Sequence, residues 1–356
     1  MTRACSVVFR VDESVRMGWG HMSRCRALAE ALTEAGAEVS FWCRDIRAES
    51  RLTLQRFGIR VIDLPDEKAF LCRDWSGDIV VVDGYHFGED FWHCLLTAHP
   101  RQTVCIDDLR DIQYVADLVI CCNEGISADQ FRLAPNTRLL LGGRYLLLRP
   151  EILAAARLTD RSVPRQGVLL AAGGTRQDQW VKDMLAHMTI VEPLATVSVL
   201  SGRRLPRNKV LRQAGIFQSR VRFFSSLEAV GMLRLYRRAC YLVVPASTMM
   251  LEAFSVGCPL ISGWVAENQR NSLNFYEREG LIINVGDLRQ LTTSKLQRAI
   301  SRAQFRAGQM IRLQRAYIAA SRLGLEEVVR AVLMSDNKNT SKNLDSGYML
   351  GFMPNS

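Results

Sequence analysis

The sequence predicts an α/β protein made of two Rossmann-like domains with a ligand cleft between them. Three observations predict it: short apolar runs alternate with helical patterns, the alternation starts again after a polar connection near residue 160, and a glycine-bearing turn follows the first strand of each half. In open sheets of this class, ligands bind at the carboxyl ends of the strands. We therefore expect the functional site where the two halves face each other.

The first half alternates short strands with helices. Apolar residues recur at steps of three and four from Met22 to Leu32, which predicts an amphipathic helix ending at Gly36. Strands separated by helices in this way are typical of parallel βαβ units. The pattern predicts an N-terminal Rossmann-like domain over residues 1–150. Its candidate strands are "CSVVFRV", "EVSFWCR", "GIRVIDL", "DIVVVDG", "QTVCIDD" and "ADLVICC".

The second half repeats the alternation after a connection rich in Ser, Pro and Arg. We predict a linker over 151–164 and a second Rossmann-like, nucleotide-binding domain over 165–334. Residues 335–356 are polar and without periodicity, which predicts a disordered tail. The candidate strands of the second half are "GVLLAAGG", "TVSVLSG", "RVRFF", "CYLVVPAS", "CPLISGW" and "LIINVGD".

Composition excludes several classes of protein. With 48% hydrophobic and 23% charged residues over 356 positions, the chain is an ordinary globular protein. It has no uncharged apolar run of about 20 residues and no secretory signal, so we expect a cytoplasmic protein. The ten cysteines form no C-x-x-C pair, so free thiols are favoured over a metal or disulfide framework. The sequence indicates no oligomeric state.

The net charge is +10, with basic residues spread along the chain and a cluster from Lys295 to Arg322 that makes one predicted helix strongly cationic. A solvated helix face is the ordinary interpretation of such a charge run. The alternatives are peripheral contact with an anionic membrane and contact with a partner. No nucleic-acid-binding motif accompanies the charge, so we expect no nucleic-acid partner.

The strongest local signal is the turn "MGWGH" between the first strand and the first helix. Gly18 and Gly20 allow a ligand to approach the backbone closely, and the free amides at a helix start favour an anion. His21 lies in the first turn of the helix, where the positive end of the helix dipole favours a neutral imidazole that can act as a base. A tight corner with a packed histidine is the alternative interpretation.

Acidic and aromatic residues end three neighbouring predicted strands. Asp12 and Glu13 follow the first strand, and either carboxylate could orient His21. Asp83 and Tyr85 end a second strand. Asp107 and Asp108 end a third, and neighbouring acids on a strand point to opposite faces, so one metal rarely takes both. Convergence at strand ends favours a ligand site over a core.

The second half offers a matching set of polar residues. Gly173, Gly174 and Thr175 form a second candidate phosphate turn after a strand. Ser247 and Thr248 stand at a helix start. Glu252, one turn further on, could hold a ribose diol or be an exposed acid behind a helix cap. Asn268 and Gln269 follow the next strand.

Taken in order, these strings resemble the UDP-sugar hydrolase family of pseudaminic acid biosynthesis, which is related to the MurG-like glycosyltransferases of the two-domain GT-B fold. The resemblance covers roughly residues 5–285. Its most specific parts are an R-x-D-x-S…G-x-G-H-x-x-R-C block and a late S-x-x-x-E…N-Q block. The strings that carry it are "FRVDESVRMGWGHMSRCRALAEAL", "VVVDGYHF", "CIDDLRD", "YVADLVICCN", "RYLLLRPEI", "AAGGT" and "VPASTMMLEAFSVGCPLISGWVAENQ".

The resemblance implies a reaction without metal or cofactor. The histidine after the glycines activates a water molecule that attacks the anomeric carbon of UDP-2,4-diacetamido-2,4,6-trideoxy-β-L-altropyranose and releases UDP. That base falls on His21, with Asp83 and Tyr85 beside it. The implied substrate-binding residues are Gly18, Gly20, Asp12, Arg149, Gly173, Gly174, Thr175, Ser247, Thr248, Glu252, Asn268 and Gln269.

The sequence departs from the family pattern at two positions. Gly84 replaces the histidine of the family's D-H-Y string, although His86 follows two residues later. Arg176 stands where an acid usually follows G-G-T. Because of these departures, the resemblance specifies the nucleotide more closely than the identity of the sugar.

The leading hypothesis is therefore a UDP-sugar hydrolase. One alternative is a GT-B glycosyltransferase that passes the sugar of a UDP-sugar to an acceptor and rests on membrane through its basic helix. The other is a binding protein without catalysis.

Overall fold

The computed structural model describes residues 5–13, 20–155, 164–172, 178–201, 205–215, 220–225 and 227–334. Within these ranges the strands form two parallel sheets of seven and six strands and one two-stranded pair. The strands are β1 (Ser6–Val11), β2 (Glu38–Cys43), β3 (Arg60–Asp63), β4 (Asp78–Asp83), β5 (Gln102–Ile106), β6 (Gln113–Tyr114), β7 (Leu118–Cys121), β8 (Arg132–Leu133), β9 (Arg138–Leu141), β10 (Val168–Ala171), β11 (Val197–Ser201), β12 (Val221–Ser225), β13 (Tyr241–Pro245), β14 (Leu260–Trp264) and β15 (Ile283–Asp287).

Helices cover the sheets. Within the described residues they are α1 (Gly20–Glu34), α2 (Ala48–Arg56), α3 (Glu67–Leu71), α4 (Glu89–Thr97), α5 (Pro150–Ala155), α6 (Asp178–Val191), α7 (Arg207–Ala214), α8 (Ala229–Arg238), α9 (Thr248–Val256), α10 (Arg270–Arg278), α11 (Thr293–Phe305) and α12 (Ala307–Leu333).

The first sheet has the order β3-β2-β1-β4-β5-β7-β9, and its strands are parallel. Its central strands are apolar and β-branched, as strands buried on both faces must be. One face packs against α1 and the other against aromatic residues from α3 and α4. Since β1 and β4 are neighbours with Val11 opposite Asp83, the residues that follow these two strands lie side by side.

The second sheet has the order β12-β11-β10-β13-β14-β15, again parallel, with its own apolar core. The predicted two-domain α/β class is confirmed. The predicted tail at 335–356 and most of the predicted linker lie outside the described residues.

The last helix joins the two domains. α12 has 27 residues and is therefore about 40 Å long. Its first half contributes Met310 and Ile318 to the core of the second sheet, and its last turns contribute Val328 and Val332 to the core of the first. The sequence pattern, which grouped this segment with the second domain, gave no sign of this return to the first.

Close backbone contact holds α12 in place. A Cβ built on Gly324 would lie 1.6 Å from the carbonyl oxygen of Arg144, so only glycine fits at this crossing. At the end of the helix, Gln102 Nε2 and Arg101 Nη2 donate to the carbonyls of Ala331 and Leu333, at 3.1 and 3.2 Å. These side chains satisfy carbonyls that a helix end leaves without partners.

The predicted single basic helix from Lys295 to Arg322 is wrong in one respect. The chain turns at Arg306 (φ −91°, ψ 3°), which separates α11 from α12. Phe305, the last residue before this turn, is 92% exposed. Among the described residues, no helix is both long and apolar enough to cross a bilayer.

Candidate functional site

A buried histidine–aspartate pair lies at the start of α1. His21 is in the first turn of the helix, and its Nδ1 lies 2.6 Å from Oδ1 of Asp83, the last residue of β4. The two residues are 3% and 1% exposed. Because an ionised carboxylate only accepts hydrogen bonds, Nδ1 carries the proton and donates it to Asp83. Nε2 is then the ring nitrogen able to accept a proton.

Arg24 holds Asp83 from the other side. Its Nε and Nη2 donate to the two carboxylate oxygens, both at 2.6 Å, and its Nη1 lies 3.6 Å from Oδ2 of Asp108. The Cys25 thiol adds a contact of 3.3 Å to Asp83. Burial alone would raise the pKa of Asp83, but Arg24 and His21 outweigh it and hold that pKa well below its usual range. Asp83 is therefore an ionised, fully hydrogen-bonded anchor.

Sequence reasoning gave Arg24 no role. A signal existed: Arg24 follows His21 by three residues on a helix, so both side chains lie on one face. Only the fold shows that this face covers the end of β4.

Tyr85 lies against His21 on the open side. The ring centroids are 4.5 Å apart and the rings meet edge to face. Tyr85 is 43% exposed, and burial of its hydroxyl together with the nearby Asp108 carboxylate raises the pKa of Tyr85. The hydroxyl therefore stays protonated and able to donate at neutral pH. Asp107 instead accepts from the Tyr114 hydroxyl and the backbone N–H of Arg110.

The prediction that Asp12 or Glu13 orients His21 is wrong, because Asp83 occupies that place. Asp12 accepts from Arg10 at 2.8 and 2.7 Å and contacts His86. Glu13 accepts from the backbone N–H of Arg47 at 3.2 Å. Asp12 likewise accepts from the backbone N–H of Arg44 at 2.7 Å, so both acids are bound by the loop that follows β2.

The second domain brings another helix start to the same place. A Cβ built on Gly20, the first residue of α1, would lie 3.9 Å from Oγ1 of Thr248, the first residue of α9. Ser247 precedes α9, and its buried Oγ has no hydrogen-bond partner within the described ranges. Two helix N-termini therefore meet where the two sheets face each other, and both favour negative charge.

Arg149 and Glu252 form a buried ion pair between the domains. Arg149 Nη2 donates to Oε1 of Glu252 at 2.8 Å, and the residues are 8% and 3% exposed. Burial raises the pKa of Glu252, and Arg149 opposes this rise. The sequence suggested that Glu252 is either an exposed acid or a residue open to a ribose. In this structure it is neither, because its carboxylate is buried and faces Arg149.

The side chain of Gln269 holds the loop that follows β14 in place. Gln269 accepts from the backbone N–H of Val265 at 2.9 Å and donates to the carbonyl of Ala246 at 2.8 Å. It thereby fastens this loop to the end of β13, and Asn268 is half-buried beside it. The predicted residues Gly18, Gly173, Gly174 and Thr175 lie outside the described residues. Across the part of the chain that is described, no three acidic, histidine or cysteine side chains are arranged to hold a metal ion.

Comparison with known proteins identifies the fold and two distant relatives. The chain matches no protein-family sequence model. Over 93% of this chain and 99% of the other, it superposes on the crystal structure of Acinetobacter baumannii MurG with a TM-score of 0.58 at 12% identity. The chain has the GT-B fold.

Two relatives are found by sequence. The chain is 22% identical over 284 residues to the spore coat polysaccharide biosynthesis protein SpsG of Bacillus subtilis, covering 77% of this chain and 82% of SpsG. It is 20% identical over 281 residues to the UDP-2,4-diacetamido-2,4,6-trideoxy-β-L-altropyranose hydrolase of Campylobacter jejuni, covering 77% of this chain and 97% of the hydrolase. The chain is a distant homologue of both.

Proposed function

We propose that this protein is a UDP-sugar hydrolase in which water attacks the anomeric carbon, with UDP-2,4-diacetamido-2,4,6-trideoxy-β-L-altropyranose as substrate. The observation that carries the proposal is the His21–Asp83 pair at the start of α1, next to the start of α9 from the other domain. The similarity to the Campylobacter jejuni hydrolase, over nearly its whole length, supports the sugar.

His21 acts as the general base. Nδ1 donates to Asp83, so Nε2 accepts a proton from a water molecule as the water oxygen bonds to the anomeric carbon. The bond between that carbon and the phosphate oxygen breaks, and UDP leaves with the electron pair. Asp83 stabilises the imidazolium that forms and fixes its tautomer. Such a base contributes about 10²–10⁴-fold to the rate.

The helix starts stabilise the departing diphosphate. Gly20 and Thr248 begin two helices whose free N–H groups meet at the cleft, and Ser247 adds a hydroxyl. The proposal also assigns diphosphate binding to Gly18, Gly173, Gly174 and Thr175, which lie outside the described residues. Negative charge that develops on UDP is thereby matched by fixed dipoles.

The remaining predicted residues orient the substrate. The Tyr85 ring packs against His21, and its protonated hydroxyl can donate to the sugar. Arg149, Glu252, Asn268 and Gln269 shape the nucleotide side, where the Arg149–Glu252 ion pair rearranges if Glu252 is to reach a ribose. No step of this reaction is assigned to a cofactor.

The test is UDP release measured by mass spectrometry from a panel of UDP-sugars, with and without added acceptors. We expect release without acceptor, and a 10²–10⁴-fold loss in His21→Ala with unchanged affinity for UDP. His93→Ala, on the exposed side of α4, is the matched control. Full turnover by His21→Ala, or no release from any UDP-sugar, would contradict the proposal.

A glycosyltransferase is the second candidate, and the surface of α11 and α12 favours it. Between 288 and 325 the chain has no acidic residue. The exposed Phe305 is flanked along the chain by the basic residues Lys295, Arg298, Arg302, Arg306 and Arg312. Such a surface suits anionic lipid, on which a lipid-linked acceptor would be found. UDP release that requires an acceptor, together with sedimentation on anionic but not neutral vesicles, would favour the transferase.

A further inference from the structure

Two histidine–aspartate pairs cross between β1 and β4. His21, which follows β1, contacts Asp83 at the end of β4. His86, which follows β4, contacts Asp12 just after β1, with Nε2 at 3.3 Å from Oδ2. The crossing arises because β1 and β4 are adjacent, with Val11 opposite Asp83. The His21 side chain is 4% exposed, whereas that of His86 is 39% exposed.

Asp12 is a rigid support for His86. Arg10 is fully buried and binds both oxygens of Asp12 on one side and both oxygens of Glu67 on the other, at 2.7–2.8 Å. The backbone N–H of Arg44 adds a bond of 2.7 Å to Asp12. Since this carboxylate is ionised and accepts, His86 Nε2 carries the proton that faces it. His86 Nδ1 is then the nitrogen able to accept a hydrogen bond.

Gly84 makes room for the His86 ring. A Cβ built on Gly84 would lie 3.0 and 3.1 Å from Cε1 and Nδ1 of His86 and 2.9 Å from the Phe87 ring. The His86 ring stacks on Phe87 with centroids 3.9 Å apart. Any side chain at 84 would therefore displace the ring, so Gly84, where the sequence departs from the family pattern, and His86 form one structural unit.

We propose that His86 contacts the sugar of the substrate, with Nδ1 accepting a hydrogen bond from a sugar hydroxyl or acetamido N–H. This inference rests on the proposed function. A water molecule activated by His21 lies about 3 Å from its Nε2, so the anomeric carbon lies close to the His21 ring. Tyr85 packs on that ring, and His86 is the next residue. The sugar is therefore bound over Tyr85 and His86, and the nucleotide lies towards α9.

The experiment measures binding without turnover. In the His21→Ala background, calorimetry gives the Kd of UDP and of UDP-2,4-diacetamido-2,4,6-trideoxy-β-L-altropyranose for three variants: His86→Ala, Gly84→Ala and His93→Ala. We expect the first two to weaken the UDP-sugar about tenfold, the loss of one hydrogen bond, and to leave UDP unchanged. His93→Ala should change neither. Melting temperatures check that each variant is folded.

The ratio of the two dissociation constants decides the outcome. An unchanged ratio in His86→Ala overturns the inference, and so does an equal loss of both affinities, which indicates a structural role. A parent that binds UDP-sugar no better than UDP overturns it as well. The two proposals can fail separately, because this experiment measures binding and not turnover. If the wild-type protein hydrolyses no UDP-sugar but His86→Ala still changes the ratio, the hydrolase is refuted and the His86 contact stands.

Discussion

The two walls of the cleft differ in how their central polar groups are bonded. On the first domain, the buried carboxylate that contacts His21 is fully matched: Asp83 accepts four hydrogen bonds, from Arg24, His21 and Cys25. On the second, polar atoms are buried with hydrogen-bonding capacity left over, as at Ser247 Oγ and Glu252 Oε2, for which the described residues offer no partner.

The difference assigns different work to the two walls. A fully satisfied network is rigid and fixes the tautomer and direction of His21 before substrate arrives, which is what a catalytic base requires. Buried polar atoms with unmet capacity are costly unless something binds them. We infer that the first wall performs the chemistry and the second is completed by the nucleotide.

The largest expected effect comes from breaking the matched wall. Asp83→Asn removes the ionised acceptor that fixes His21 and leaves Arg24 with only the more distant carboxylate of Asp108 as a counter-charge. We expect turnover to fall by about 10²–10⁴-fold and the free energy of unfolding by about 3 kcal/mol. Steady-state kinetics and urea unfolding measure the two, with Asp90→Asn on exposed α4 as control. A loss of turnover below threefold would show that Asp83 does not orient the base.

A smaller and different effect is expected from the other wall. Ser247→Ala removes a hydroxyl without a partner, so stability should not change. If the nucleotide binds this hydroxyl, KM rises about fivefold to tenfold with kcat unchanged. Ser301→Ala on α11 is the control. A fall in kcat with unchanged KM would place Ser247 in the chemical step and contradict the division of roles.

The smallest effect is on the pH dependence of stability, and its sign differs between the walls. Burial raises the pKa of Asp12, but His86 and Arg10 outweigh it and lower that pKa. The unfolded chain then binds more protons below about pH 4, so stability rises with pH there. Burial raises the pKa of Glu252, so above about pH 4.3 the folded state binds more protons and stability falls as pH rises.

Urea unfolding between pH 3 and 7 tests these signs. Asp12→Asn should reduce the rise, to which Asp83 also contributes, and Glu252→Gln should reduce the fall, each by at most about 1.4 kcal/mol per pH unit. An unchanged slope above pH 4.3 in Glu252→Gln would show that Glu252 carries no raised pKa in the folded protein.

What the sequence could predict depends on how local each contact is. The fold class and the convergence of His21, Asp83 and Tyr85 follow from strand ends, because parallel strands bring their carboxyl ends to one edge. The prediction that Asp12 orients His21 was wrong. Which carboxylate faces the start of a helix depends on side-chain directions, and the sequence pattern does not give them. The His86 contact needs the space at Gly84, which only coordinates reveal.

Contacts between domains were beyond sequence reasoning altogether. Arg149 and Glu252 are 103 residues apart, and their ion pair depends on how the two domains meet. The same holds for α12, whose apolar positions are helical along its whole length while its ends pack on different sheets.

The central claim is that a water molecule activated by His21 attacks the anomeric carbon. It is tested most directly by hydrolysis of the UDP-sugar in water enriched in oxygen-18. Mass spectrometry of the released UDP is the measurement, because the anomeric oxygen of the free sugar exchanges with solvent and the phosphate oxygens do not. We expect UDP without label, formed by wild-type protein and far more slowly by His21→Ala. Label in the β-phosphate of UDP would show attack on phosphorus and contradict the account.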